Sequence, residues 1–211
     1  MSVKCNLHEV NAVKQTQLLN MLTVVVVTAC GSDSKEELST TEYGTLTVSD
    51  STTSNDNGSF SLTTLTKCSR NADTGRVDVT IGLSTGQSLS IAIKNYSSSP
   101  KKYSCVQASD NKESTSDVGG KFDDCMVEAR TLSASGATTV NGYSMHRDAA
   151  TTKPFSYTGE CSIDVTAASP SIQATIACNS MIQTVLESAP RNPINADVKA
   201  NVAGTIDCRF Q

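Results

Sequence analysis

The residues with most chemistry to offer are cysteines: eight stand in a chain of 211, at Cys5, Cys30, Cys68, Cys105, Cys125, Cys161, Cys178 and Cys208. Sulfur can hold a metal, attack a substrate, carry a lipid or crosslink the chain, and spacing decides between these. A structural zinc site draws on cysteine or histidine pairs only about two to four residues apart. No C-x-x-C occurs here, and the nearest pair, Cys161 and Cys178, has 16 residues between its members. Imidazole is as scarce, since His146 is the sole histidine beyond residue 29. A nucleophilic cysteine needs a base beside it, and His146 is again the one imidazole on offer. The expectation is therefore no metal, no cofactor and no catalytic cysteine.

The remaining candidates for catalysis are thin. Gly142-Tyr143-Ser144-Met145-His146 lacks the final glycine of a nucleophile elbow, and the preceding Asn141-Gly142 reads as a tight hairpin where that motif needs a strand-to-helix turn. Asp148 is too close in sequence to His146 to orient it from an extended strand. A hydrolase using His146 stands as the enzymatic alternative, and it requires a cleft that brings His146 to Ser144, Asp148 or another acid. Asp123-Asp124 with Asp117 and Glu128, and Asn55-Asp56-Asn57-Gly58, lack the spacing of a calcium loop and read as turn formers. Paired carboxylates acting on a sugar would lack an aromatic platform, because the chain has no Trp. No catalytic residue is assigned.

The formal charge is −4. Residues 1–29 carry Lys4, Lys14 and Glu9, so a chain without them holds about −5. An acidic surface without a basic cluster has nothing to replace the counterions of a phosphate backbone, which excludes nucleic acid as a partner. The one adjacent basic pair, Lys101-Lys102, reads as a solvated loop after Pro100.

The first 29 residues are unlike the rest. A polar start with Lys4 and Lys14 leads into Leu18–Ala29 (LLNMLTVVVVTA), an apolar run too short to span a bilayer but long enough for an export signal. The run ends in Val27-Thr28-Ala29-Cys30, which resembles the lipobox of bacterial lipoproteins. That resemblance implies cleavage between Ala29 and Cys30, diacylation of the Cys30 sulfur, and anchoring to a membrane by two or three acyl chains. Such a multiple anchor is stable where one chain is not. With Gly31 rather than Asp after the cysteine, the resemblance implies an outer-membrane address.

The elements that must position the other cysteines follow from patterning. Residues 30–42 are a polar tether that cannot bury enough surface to offset its ordering entropy. From Tyr43 to Gln211 the chain alternates apolar and polar residues, the mark of strands with one wet face. Leu46 and Val48, Phe60 and Leu62, and Val77, Val79, Ile81 and Leu83 open the series. Leu89, Ile91 and Ile93 follow across a Ser84-Thr85-Gly86 turn, and Ile163 and Val165 return as Ile172, Ala174 and Ile176 across Ser169-Pro170. Val198, Ala200, Val202, Ile206 and Phe210 close it. Asn141-Gly142 is expected as a hairpin turn between Val140 and Tyr143. Met181–Glu187 (MIQTVLE) is the one stretch expected as a short helix. The class expected is all-β: an antiparallel sandwich or barrel-like domain with disulfides.

Once Cys5 leaves with the signal and Cys30 is lipidated, six cysteines remain for crosslinking: Cys68, Cys105, Cys125, Cys161, Cys178 and Cys208. Cys161 is in phase with Ile163 and Val165, Cys178 with Ile176, and Cys208 with Ile206, so these three face the core. A symmetrical turn at Ser169-Pro170 sets Cys161 opposite Cys178, although either can also reach Cys208, and spacing leaves 15 pairings open. The functional expectation is a non-enzymatic, lipid-anchored envelope protein with a structural, adhesive or partner-binding domain. A periplasmic ligand carrier is the other alternative, and it would show an enclosed apolar cavity.

Overall fold

The computed structural model describes residues 41–51, 57–106, 124–131, 141–145, 157–185 and 193–211, all within the compact unit Ser39–Gln211. The expected signal segment, Cys5, Cys30, most of the expected tether, Asn55, Asp56, Asp117, Asp123, His146 and Asp148 lie outside the described residues. The fold is all-β and antiparallel, a nearly closed barrel-like sheet of 11 strands. In chain order these are β1 (Gly44–Ser49), β2 (Gly58–Leu62), β3 (Thr64–Arg70), β4 (Val77–Gly82), β5 (Ser88–Ile93), β6 (Lys101–Ser104), β7 (Cys125–Thr131), β8 (Asn141–Ser144), β9 (Cys161–Ala167), β10 (Ser171–Val185) and β11 (Pro193–Arg209).

Closure follows from one continuous run of chain. The hydrogen-bonded path reads β2-β1-β11-β10-β8-β7-β5-β4-β3, and its two ends, β2 and β3, are separated in sequence by Thr63 alone. The segment Gly58–Arg70 thus pairs with β1 through its first half and with β4 through its second. It joins the sheet's two ends covalently and removes most of the edge that an open sheet exposes.

The hairpins form where alternation is strongest. Val77, Val79 and Ile81 face Ile93, Ile91 and Leu89 across the turn at Gly86, which takes φ 105, open to glycine without a Cβ penalty. Ile163 faces Ile176 and Val165 faces Ala174 across Ser169-Pro170, the register that a symmetrical turn requires. The inward side chains of all these strands form one contiguous core that includes Leu46, Leu62, Ile81, Leu89, Ile163 and Ile172.

Strand β10 has a different neighbour at each end. Its residues Gln173–Cys178 pair with β9, whereas Ile182–Val185 pair with β8, and an irregularity between Cys178 and Met181 marks the change. The barrel wall forks there. Along one branch β8 carries on to β7, and along the other β9 carries on to β6.

Three local expectations give way to this topology. Met181–Val185 is the end of β10, not a helix, and no helix occurs among the described residues. Met181 is buried inward and Ile182 is buried outward, so adjacent apolar residues imitate a helical face where both sides of a strand are covered. Asn141-Gly142 is not a turn. It lies in β8, held on both sides by Arg130 and Thr131 of β7 and by Thr184 and Val185 of β10, and two ladders outweigh a local turn preference. Lys101 and Lys102 sit in β6 rather than a loop, though both are exposed.

Candidate functional site

The six domain cysteines form three disulfides: Cys68–Cys208, Cys105–Cys125 and Cys161–Cys178. Two of them join strands that share no ladder, and the third closes one end of the β9–β10 ladder. Strand β1 starts at Gly44, which pairs with Ile206, so the end of β11 runs past it. There Cys208 bonds to Cys68 of β3, and the Gln211 N–H donates to the Cys68 carbonyl at 3.0 Å. At the fork, Cys105 follows β6 and Cys125 begins β7, two strands that share no ladder. Cys161 and Cys178 lie directly opposite each other at the start of β9 and just before the β10 irregularity. All six are buried, from 0 % to 5 % exposed.

Two of these bridges belong to one row. The register Ser104 to Ser162 continues to Cys105 and Cys161, where the Cys105 N–H donates to the Cys161 carbonyl at 2.8 Å. Cys105, Cys161 and Cys178 are therefore successive members of a line across β6, β9 and β10. Residues directly opposite on neighbouring strands put their side chains on the same face.

An open groove of about 840 Å³ lies beside this row. Its lining takes in Ser162 and Ala177, which point outward, as well as Cys105, Cys161 and Cys178 of the inward row, so it reaches both faces of the wall at the fork. Tyr157 stands on its rim. The Tyr157 hydroxyl donates to the Asn179 carbonyl at 2.8 Å, and burial, followed by the charge of Glu160, pushes its pKa up to about 12. The Asn179 amide oxygen in turn accepts from the Glu160 N–H at 2.8 Å. Gly159 is held against Asn179 so closely that a Cβ there would come within 2.9 Å of the Tyr157 ring. The rim is thus tied to β10 at its irregularity. Val106, 52 % exposed, adds an apolar surface, and Lys102 and Glu160 supply one charge of each sign.

Sequence patterning offers little sign of this groove. Its walls are small residues on regular strands, and its one irregular signal is an apolar residue, Val106, directly after the inward Cys105.

Glu128 is corrected from turn former to strand residue: it lies within β7, 8 % exposed, and accepts a hydrogen bond at 3.4 Å from the hydroxyl of Ser144. Asp124 precedes β7 and is exposed. Ser144 itself is 0 % exposed. A hydroxyl in that position donates to a buried carboxylate, which is costly to leave unpaired. Thr184 Oγ1, on the same outward side of the neighbouring strand, is buried with no partner among the described residues. No group of three or more His, Cys, Asp or Glu side chains that could hold a metal occurs among the described residues.

The interior leaves little room in the half built from β1, β4, β5 and β11. A Cβ on Gly44 would come within 2.7 Å of Ile81 Cδ1, and one on Gly204 within 2.8 Å of Leu89 Cδ2. Glycine at these two positions lets opposite walls touch. Tyr143 of β8 reaches across the interior to Ser51, their hydroxyls 2.7 Å apart. At the other end Tyr96 stacks with Tyr103 at 6.5 Å and meets Phe210 edge-on at 5.7 Å, and the Tyr96 hydroxyl donates to the Ala168 carbonyl at 3.0 Å. Glycine and aromatic side chains thus bring the walls together in these two places.

No protein family, curated protein or solved structure matches this chain.

Proposed function

We propose that this protein is a lipid-anchored cell-envelope lipoprotein, held to a membrane through Cys30, whose disulfide-stapled barrel acts outside the cytoplasm as a structural or partner-binding domain. The observation that carries the reading is the pairing of all six cysteines between Tyr43 and Gln211 with one another. A domain closed by three bridges suits an oxidising compartment, and Cys30 is required by none of them. The lipobox resemblance of Val27-Thr28-Ala29-Cys30 supplies the anchor. A binding role is supported by the open groove beside Tyr157 and Val106.

The test is mass spectrometry of the membrane fraction. The expected product begins at Cys30 and carries acyl mass on that residue, and a Cys30→Ala variant is released or left unprocessed. A Cys30→Ala protein that is cleaved normally and stays on the membrane would overturn the reading.

A further inference from the structure

We infer that the groove beside the fork is a thiol–disulfide exchange site, in which Cys161–Cys178 is the bridge offered to an incoming thiol and Cys105–Cys125 is its internal exchange partner. Two independent features point there. Three of the cysteines, Cys105, Cys161 and Cys178, line the same groove, while Cys68, Cys125 and Cys208 do not. The same three stand in one row across adjacent strands, with Cys161 in the middle. Directly opposed residues of antiparallel strands hold their Cβ atoms about 4.5–5.5 Å apart, close to the roughly 3.5–4.5 Å that a disulfide spans. Cys161 thus has a neighbour on each side with which it can pair, Cys178 or Cys105.

The exchange balances with a dithiol as reductant. One thiolate of the dithiol attacks Cys178 Sγ, forming a mixed disulfide and releasing the Cys161 thiolate. That thiolate attacks Cys105 Sγ, the Cys105–Cys125 bond breaks, Cys105–Cys161 forms, and the Cys125 thiolate leaves and takes a proton from solvent. The dithiol's second thiolate then attacks the mixed disulfide at its own sulfur. The reagent departs as a cyclic disulfide and Cys178 is left as a thiol. Two electrons pass from the dithiol to the protein, and three bridges become two.

The structural consequence is specific. Cys105–Cys125 ties β6 to β7 across the fork where no ladder joins them, so exchange uncouples the β9–β6 branch from β7. The substrate class is a small thiol, or an exposed cysteine on an extended segment that can enter the groove. Lys102 and Glu160 leave the groove without a strong net charge, so it accepts thiols of either sign.

The experiment treats the whole mature protein with limiting dithiothreitol, quenches with acid, alkylates free thiols and maps the disulfides. Cys178 and Cys125 should become labelled, a Cys105–Cys161 peptide should appear, and Cys68–Cys208, which lies outside the groove, should open more slowly, because reduction rates follow access to the attacked sulfur. Loss of all three bridges at one common rate overturns the inference, as does joint labelling of Cys161 and Cys178 with Cys105–Cys125 intact. A Cys178→Ser variant should settle with Cys105–Cys161 bonded and Cys125 free, and retention of Cys105–Cys125 beside a free Cys161 counts against exchange. Should that variant not fold, wild-type protein treated with reduced glutathione replaces it: a glutathione adduct within the Cys161 or Cys178 peptide supports the site, and its absence sinks it.

Discussion

The wall built from β1, β9, β11 and the first half of β10 treats its outward side chains differently from the wall built from β5, β7, β8 and the second half of β10. In the first, the outward row Thr45, Thr205, Thr175 and Asp164 is short, polar and largely exposed. In the second, the outward Ala92, Met126, Glu128, Ser144, Ile182 and Thr184 are buried, and Ser88, Ser90 and Arg130 are half-buried. The first wall has one wet face and the second is covered over most of both. The difference explains what each wall demands of its polar groups: Thr45 and Thr205 join their hydroxyls at 3.0 Å in the open, whereas Glu128 requires Ser144 because water is excluded.

The sharpest way to break this comparison is a pair of truncations on β10. Ile182→Ala, on the covered outward face, should lower unfolding free energy by about 2–5 kcal/mol, the usual cost of deleting a buried branched side chain. Thr175→Ala, outward on the wet face of the same strand, should change it by less than about 0.5 kcal/mol. Denaturant melts of the two variants decide the matter, and equal effects would mean that the two walls are not distinct.

Next in size is Gly204→Ala. Its methyl group would press on Leu89 Cδ2 and on the Thr45 carbonyl, and overpacking of this kind costs about 1–3 kcal/mol. A Gly204→Ala, Leu89→Ala double variant should recover part of the overpacking cost, seen as coupling in a double-mutant cycle. Additive losses would show that the walls do not touch there.

Ser144→Ala takes one donor from a buried carboxylate and should cost about 1–2 kcal/mol. A thermal melt showing no loss would mean that Glu128 does not depend on the Ser144 hydroxyl.

A further effect is expected in alkali. Tyr96 has its pKa raised to about 12 by burial and the nearby Tyr103, and Tyr157 is raised to about 12 by burial and Glu160. An unfolded tyrosine ionises near 10, so between about pH 10 and 12 the unfolded chain gives up protons that the folded one keeps. Stability should be complete below about pH 10 and fall as pH climbs toward 12. Denaturation midpoints across that range should fall less steeply for a Tyr96→Phe, Tyr157→Phe variant, and unchanged slopes would assign the alkaline loss to other groups.

The two walls also differ in how well they can be read from sequence. Strand β9 alternates buried and exposed residues from Cys161 to Thr166, and its partner, register and turn all follow from that alternation. Strand β7 is buried at five successive positions, Cys125 to Ala129. With both faces covered the period of two vanishes, and CMVEART carries no strand signature. The same cause makes MIQTV at the end of β10 resemble a helix. The groove is illegible for another reason: it is made by the convergence of β6, β9, β10 and the residues before β9, which no local pattern encodes.

Composition and alternation alone determined the all-β class, the inward phase of Cys161, Cys178 and Cys208, and the two hairpins at Gly86 and Pro170, because each depends on neighbours in sequence and a period of two. Tertiary structure decided which cysteines bond, where the barrel closes and that Glu128 is buried. Those outcomes depend on which strands become neighbours across 17 to 140 residues of chain, a choice made by burial of the whole core.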